Sequence, residues 1–99
     1  MPEVLSDSEL RQRLGDLPRW SGDRTALLRQ VEAPDFPTAI RVVDEVAVVA
    51  EEMNHHPDID IRWRVLTFTL STHSAGGVTE LDVELARRIS EIAAAHSAL

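Results

Sequence analysis

The spacing of apolar residues changes period at Pro57, and this change constrains the fold more than any other feature of the chain. Before it, Phe36, Ile40, Val43, Ala47, Ala50 and Met53 recur at intervals of three or four residues, the signature of one helix face. After it, Ile59, Ile61 and Trp63 alternate with Asp60, Arg62 and Arg64. Leu66, Phe68 and Leu70 then alternate with Thr67, Thr69 and Ser71, again the period of half-buried strands. Proline has no amide hydrogen and drives the preceding residue away from helical geometry. Pro57 is therefore expected to end the helix and to leave His55 and His56 at the junction of helix and loop. The change of phase across Arg64-Val65 predicts a tight turn between the two strands.

The flanking segments read in the same way. Ser6 stands before an acidic stretch, and Leu10, Leu14 and Leu17 follow at helical spacing until Gly15 and Pro18 stop a short helix. Trp20 leads into the turn cluster Ser21-Gly22-Asp23, and Ala26 to Val31 reads as a strand, which predicts a hairpin with a short first arm. Ala75-Gly76-Gly77 breaks the last strand. Thr79-Glu80-Leu81-Asp82 has the form of a capping box, opening a helix whose apolar face is Leu81, Leu85, Ile89 and Ile92 and which runs towards His96. The order is α-β-β-α-β-β-α. Two hairpins separated by a helix predict an α+β fold, a four-stranded antiparallel sheet with three helices packed on one face. No repeat, low-complexity tract or linker interrupts the chain, so residues 1-99 read as a single domain.

Composition narrows the function. Seventeen acidic residues against ten basic ones give a net charge of -7, which repels phosphate backbones and anionic lipid surfaces, so no direct nucleic-acid or membrane partner is expected. The absence of cysteine removes disulfides, thiolate nucleophiles and sulfur-based zinc sites. No apolar run approaches membrane-spanning length. Met1 to Leu10 carries neither signal-peptide nor transit-peptide character, which makes the cytoplasm the expected compartment. A chain of 99 residues has room for only a thin core, and a domain of this size hides further apolar surface by self-association; a homodimer or homotetramer is expected.

Three of the four histidines, His55, His56 and His73, fall at the ends of regular elements, where clefts form. Imidazole titrates near pH 6.5 and both gives and takes protons at cellular pH. Each residue also has a structural explanation. A His-His-Pro corner can cap a helix, and Asp82 can simply close its capping box against the helix dipole. Glu51 can be a solvated charge, Trp63 hairpin packing and His96 surface. Neighbouring histidines rarely aim both rings at one ion, and no HExxH spacing occurs, so no metal is expected at His55, His56 and His73.

The joint spacing decides between these readings. Glu51, His55-His56-Pro57, an aromatic at Trp63, His73 within Leu70-Ser71-Thr72-His73, and Asp82 follow a pattern that resembles the pterin-4a-carbinolamine dehydratases, also called dimerisation cofactors of a homeodomain transcription factor. Leu17-Pro18-x-Trp20, Arg29-Gln30 and Asp35-Phe36 extend the likeness over most of the chain. The first hairpin is about two residues shorter than is usual there, and Trp63 stands where tyrosine is common. The resemblance implies a hydro-lyase that dehydrates 4a-hydroxytetrahydropterin to quinonoid dihydropterin without metal or organic cofactor, in recycling of a tetrahydrobiopterin-type cofactor. It implies His55, His56 and His73 as the acid/base residues. Pro57, Thr72, Ser74 and Ala75 would hold the substrate, the last three through their backbone, and Glu51 and Asp82 would orient their neighbours. An aromatic amino-acid hydroxylase is the implied pathway partner. Two other classes remain: a dimerisation module with a vestigial pocket, for which Val42 to Val49 offers an apolar surface, and a carrier that binds pterin without turnover.

Overall fold

The computed structural model describes residues 2–99 as α1 (Asp7–Gly15), β1 (Ser21–Gly22), β2 (Leu27–Glu32), α2 (Phe36–Met53), β3 (Asp58–Arg62), β4 (Val65–Leu70) and α3 (Glu80–Ala95). The expected α-β-β-α-β-β-α order is present. The four strands form one antiparallel sheet in the spatial order β1-β2-β4-β3, so α2 carries the chain across the sheet to its far edge and β4 returns to pair with β2. Alternation decides which face is covered. Leu27 and Val31 of β2 and Leu66, Phe68 and Leu70 of β4 are fully buried, whereas Leu28, Gln30 and Glu32 on the other face are exposed. Leu10 of α1, Ala39, Val42 and Val46 of α2, and Leu85, Ala86, Ile89 and Ala93 of α3 complete the same core, which puts all three helices on one face of the sheet.

Local chemistry sets the helix ends. At both α1 and α3 a hydroxyl at the N-cap and a carboxylate three residues later satisfy each other's backbone amides: Ser6 with Glu9, and Thr79 with Asp82. The Asp35 carboxylate caps α2 by accepting from the Thr38 amide at 2.8 Å.

Four local expectations are corrected. Residues 21–22, read as part of a turn, form the short first strand; the turn follows, with the Asp23 carboxylate accepting the Thr25 amide at 2.8 Å. The second hairpin turns at Trp63-Arg64 and not at Arg64-Val65. Trp63 leaves the strand pattern, adopts a left-handed φ of 55° and is 69% exposed, with the Arg64 guanidinium 4.7 Å above its ring. Helix α2 ends at Asn54, before Pro57: Asn54 has a left-handed φ of 50°, and its amide and that of His55 return to carbonyls of the last turn, including Ala50. The buried face of α2 is Ala39, Val42, Val46 and Ala50, with Phe36 46% exposed and Ala47 also outward. This helix is apolar on more than one side, so spacing alone admits two faces. The face holding Ala39, Val42 and Val46, with Ala50, is the one that enters the core beside α3.

Candidate active site

The fold brings three chain ends together: the C-terminal end of α2, the loop after β4, and the first turn of α3. Asp82 joins them. Its carboxylate is fully buried, and its Oδ1 lies 2.6 Å from His55 Nε2. Its Oδ2 accepts from the Thr72 hydroxyl at 2.7 Å and from the Thr79 amide at 2.9 Å. The Thr72 and Thr79 hydroxyls are 2.7 Å apart, and Thr79 Oγ1 accepts the Leu81 amide at 3.2 Å. Asp82 therefore caps α3 and holds the His55 ring with a single carboxylate. The cap explanation and the site explanation describe the same atoms.

The remaining positions surround this buried centre. His56, next in the chain, points outward, with its Nε2 2.5 Å from Glu51 Oε2 on the exposed last turn of α2. Both histidines of the corner thus use ring nitrogens on carboxylates, not on the carbonyls of the helix end. Pro57 is half-buried at the start of β3. Thr72 is buried, and its amide and carbonyl are committed to the loop: the amide donates to Gly77 and the carbonyl accepts from Ala75 and Gly76, both at 3.0 Å. That bracing leaves His73 and Ser74 exposed at the tip with Ala75 half-buried behind them. Gly76 supplies the left-handed φ of 84° that closes the loop, and a Cβ on Gly77 would stand 2.5 Å from the Arg24 carbonyl. Among the described residues no three His, Asp or Glu side chains converge as a metal ion would require.

Sequence reasoning assigned Thr79 only to the cap. The signal for its wider role was present in the capping box itself, because a residue whose amide bonds the Asp82 carboxylate must lie beside whatever else that carboxylate holds. No sequence pattern pointed to the cluster in which Trp20 Nε1 and Arg29 Nη1 both donate to Ser90 Oγ, at 2.8 and 2.9 Å.

Fold and site define an α+β protein in which a carboxylate-held imidazole is brought, through Asp82 and Thr72, next to a loop that exposes another, an arrangement suited to proton transfer. The family model described as pterin 4 alpha carbinolamine dehydratase matches residues 3–92. A relative from Nocardia farcinica, provisionally named a pterin-4-alpha-carbinolamine dehydratase, is 56% identical over 92% of this chain and 96% of its own. One from Roseiflexus sp., with the same provisional name, is 50% identical over 93% of this chain and 99% of its own. The crystal structure of a transcriptional coactivator/pterin dehydratase from Brucella melitensis superimposes with a TM-score of 0.89 at 36% identity, covering 92% of this chain and 99% of that one. The chain belongs to the pterin-4a-carbinolamine dehydratase family, hydro-lyases that act on a pterin. No helix among the described residues is long and apolar enough to cross a membrane.

Proposed function

We propose that this chain dehydrates 4a-hydroxytetrahydropterin to quinonoid dihydropterin by histidine acid/base catalysis, in recycling of a tetrahydrobiopterin-type cofactor in the cytoplasm. Beyond family membership, the observation that carries the reading is the Asp82 carboxylate, which ties His55 to the loop presenting His73. The reaction breaks the C4a–O bond. The neighbouring ring N–H loses its proton, its electrons form the C=N bond, and the hydroxyl leaves as water after taking up a proton. Both tasks are proton transfers within the reach of imidazole, and neither requires redox chemistry.

In this reading His55, His56 and His73 surround the pterin, one taking the ring proton and another assisting the hydroxyl's departure. Pro57, Ser74 and Ala75 line the substrate, Thr72 braces the loop from inside, and Glu51 and Asp82 orient His56 and His55. An aromatic amino-acid hydroxylase supplies the substrate. The chain assembles as a homodimer or homotetramer, a reading supported by the exposure of Phe36, Val48, Ile61 and Trp63; a monomeric mass in light scattering overturns that part. The catalytic claim is tested by measuring dehydration with His55→Ala, His56→Ala and His73→Ala as folded proteins. Each is expected to lose about 10²–10⁴-fold in rate, and full activity in all three refutes the proposal.

A further inference from the structure

We infer that Thr72 and Thr79 are positioning residues that set the tautomer of His55 through Asp82, so that His55 meets the substrate with Nδ1 as a proton acceptor. The inference rests on the acid/base reading above and adds the atom that does the work. It follows from tracing which atoms can donate. An ionised carboxylate only accepts, so the Thr72 hydroxyl, 2.7 Å from Asp82 Oδ2, spends its proton there. The Thr72 oxygen is then left to accept, and the Thr79 hydroxyl at 2.7 Å must donate to it. Thr79 Oγ1 in turn accepts the Leu81 amide at 3.2 Å, whose proton is fixed by the backbone of α3. Direction therefore runs one way, from the helix amide through two hydroxyls to the carboxylate, and bonds aligned head to tail reinforce one another.

The same rule applied at Oδ1 places a proton on His55 Nε2, 2.6 Å away. In the neutral ring Nδ1 then carries the lone pair, and the ring's hydrogen bond among the described residues is made through Nε2. Because Oδ2 is already filled by two donors, the carboxylate is held against rotation and has only Oδ1 to offer the ring. A buried carboxylate with one donor fewer would turn to satisfy itself, and the ring would follow.

The experiment combines long-range ¹H–¹⁵N NMR of the His55 ring with the pH profile of kcat for dehydration, in wild type, Thr72→Val, Thr72→Ser, Thr79→Val and Asp82→Asn. Wild type is expected to show the Nε2–H tautomer. Thr72→Val is expected to mix the tautomers, lower kcat roughly tenfold to a hundredfold, as loss of a bond to a charged group implies, and move the acid limb of the profile. Thr72→Ser keeps a hydroxyl and restores both readouts. Thr79→Val is expected to show the same change at smaller size, and Asp82→Asn a complete tautomer exchange, since an amide can donate. An Nδ1–H tautomer in wild type overturns the inference, as does a Thr72→Val protein that is folded with tautomer and pH profile unchanged. If the tautomers respond as expected but wild type does not dehydrate the pterin, the positioning device stands and the proposed function falls.

Discussion

Replacing Asp82 with alanine removes a fully buried carboxylate that satisfies donors on three separate segments: the His55 ring, the Thr72 hydroxyl and the Thr79 amide. Each buried donor left without an acceptor costs about 1–3 kcal/mol. Loss of an N-terminal cap alone costs about 1 kcal/mol, so the change would be small if Asp82 served only α3. Water reaches the His55 ring, which lies near the surface, and offsets part of the loss there. The net destabilisation expected for Asp82→Ala is therefore about 3–5 kcal/mol. At roughly 4–8 °C per kcal/mol for a protein of this size, the melting temperature falls by more than about 12 °C. Urea denaturation followed by circular dichroism at fixed protein concentration measures it. Glu91→Ala on the exposed face of the same helix serves as the control and is expected to stay within about 0.5 kcal/mol. A loss of only about 1 kcal/mol in Asp82→Ala would mean that the carboxylate is a simple cap, and the shared-network account would be wrong.

Three further perturbations test other parts of the account. Arg29 lies on the core side of β2 with only 7% of its surface exposed, held by Ser90 while its Nε has no partner, and burial lowers its pKa. Ser90→Glu supplies a carboxylate that can accept from both Arg29 and Trp20, so thermal unfolding is expected to rise by several degrees, about 1 kcal/mol; a lower melting temperature would contradict it. Asn54 holds the left-handed end of α2 at φ 50°, so Asn54→Ala should cost about 1 kcal/mol in urea and Asn54→Gly almost nothing; equal losses would show that geometry is not the cause. Asp35 is held below the ordinary aspartate value, first by the Thr38 side chain and then by its amide. A depressed folded value stabilises above the unfolded pKa of about 3.9 and is lost as pH falls through the folded one. The stability gap between wild type and Asp35→Ala should therefore close below about pH 4, and a gap unchanged between pH 7 and pH 3 would refute it.

Much of this architecture was legible in the residues, for reasons that differ by element. The capping boxes at Ser6–Glu9 and Thr79–Asp82 depend on neighbours in the chain, so local pattern sufficed to place both helix starts. The alternation from Leu66 to Leu70 identified the core face of β4 because the opposite side of the strand is only half-buried. Where two outcomes satisfied the same pattern, tertiary packing chose. The apolar surface of α2 runs around the helix, and only packing into the core selected Ala39, Val42 and Val46 over Phe36 and Ala47, with Ala50 common to both faces. Trp63 continued the strand alternation, yet it occupies a left-handed turn position where glycine or asparagine is usual, held by Arg64 across its face. The candidate site shows the same division. His55, His56, His73, Glu51 and Asp82 were marked as candidates by the family pattern their spacing resembles, but the contact between His55 and Asp82 spans segments far apart in sequence, so which histidine the carboxylate holds could be read only from the fold. The buried commitments of Thr72 were invisible for the same reason: its side chain and backbone look available in the sequence and are used inside the loop.

Stopped-flow measurement of 4a-hydroxytetrahydropterin dehydration, comparing the spontaneous reaction with wild type and with the double variant His55→Ala/His73→Ala, tests the central claim most directly. Wild type is expected to accelerate loss of the 4a-hydroxy species, and the folded double variant to fall close to the spontaneous rate. A wild-type trace that follows the spontaneous reaction, or a double variant as fast as wild type, would contradict histidine-driven dehydration by this protein.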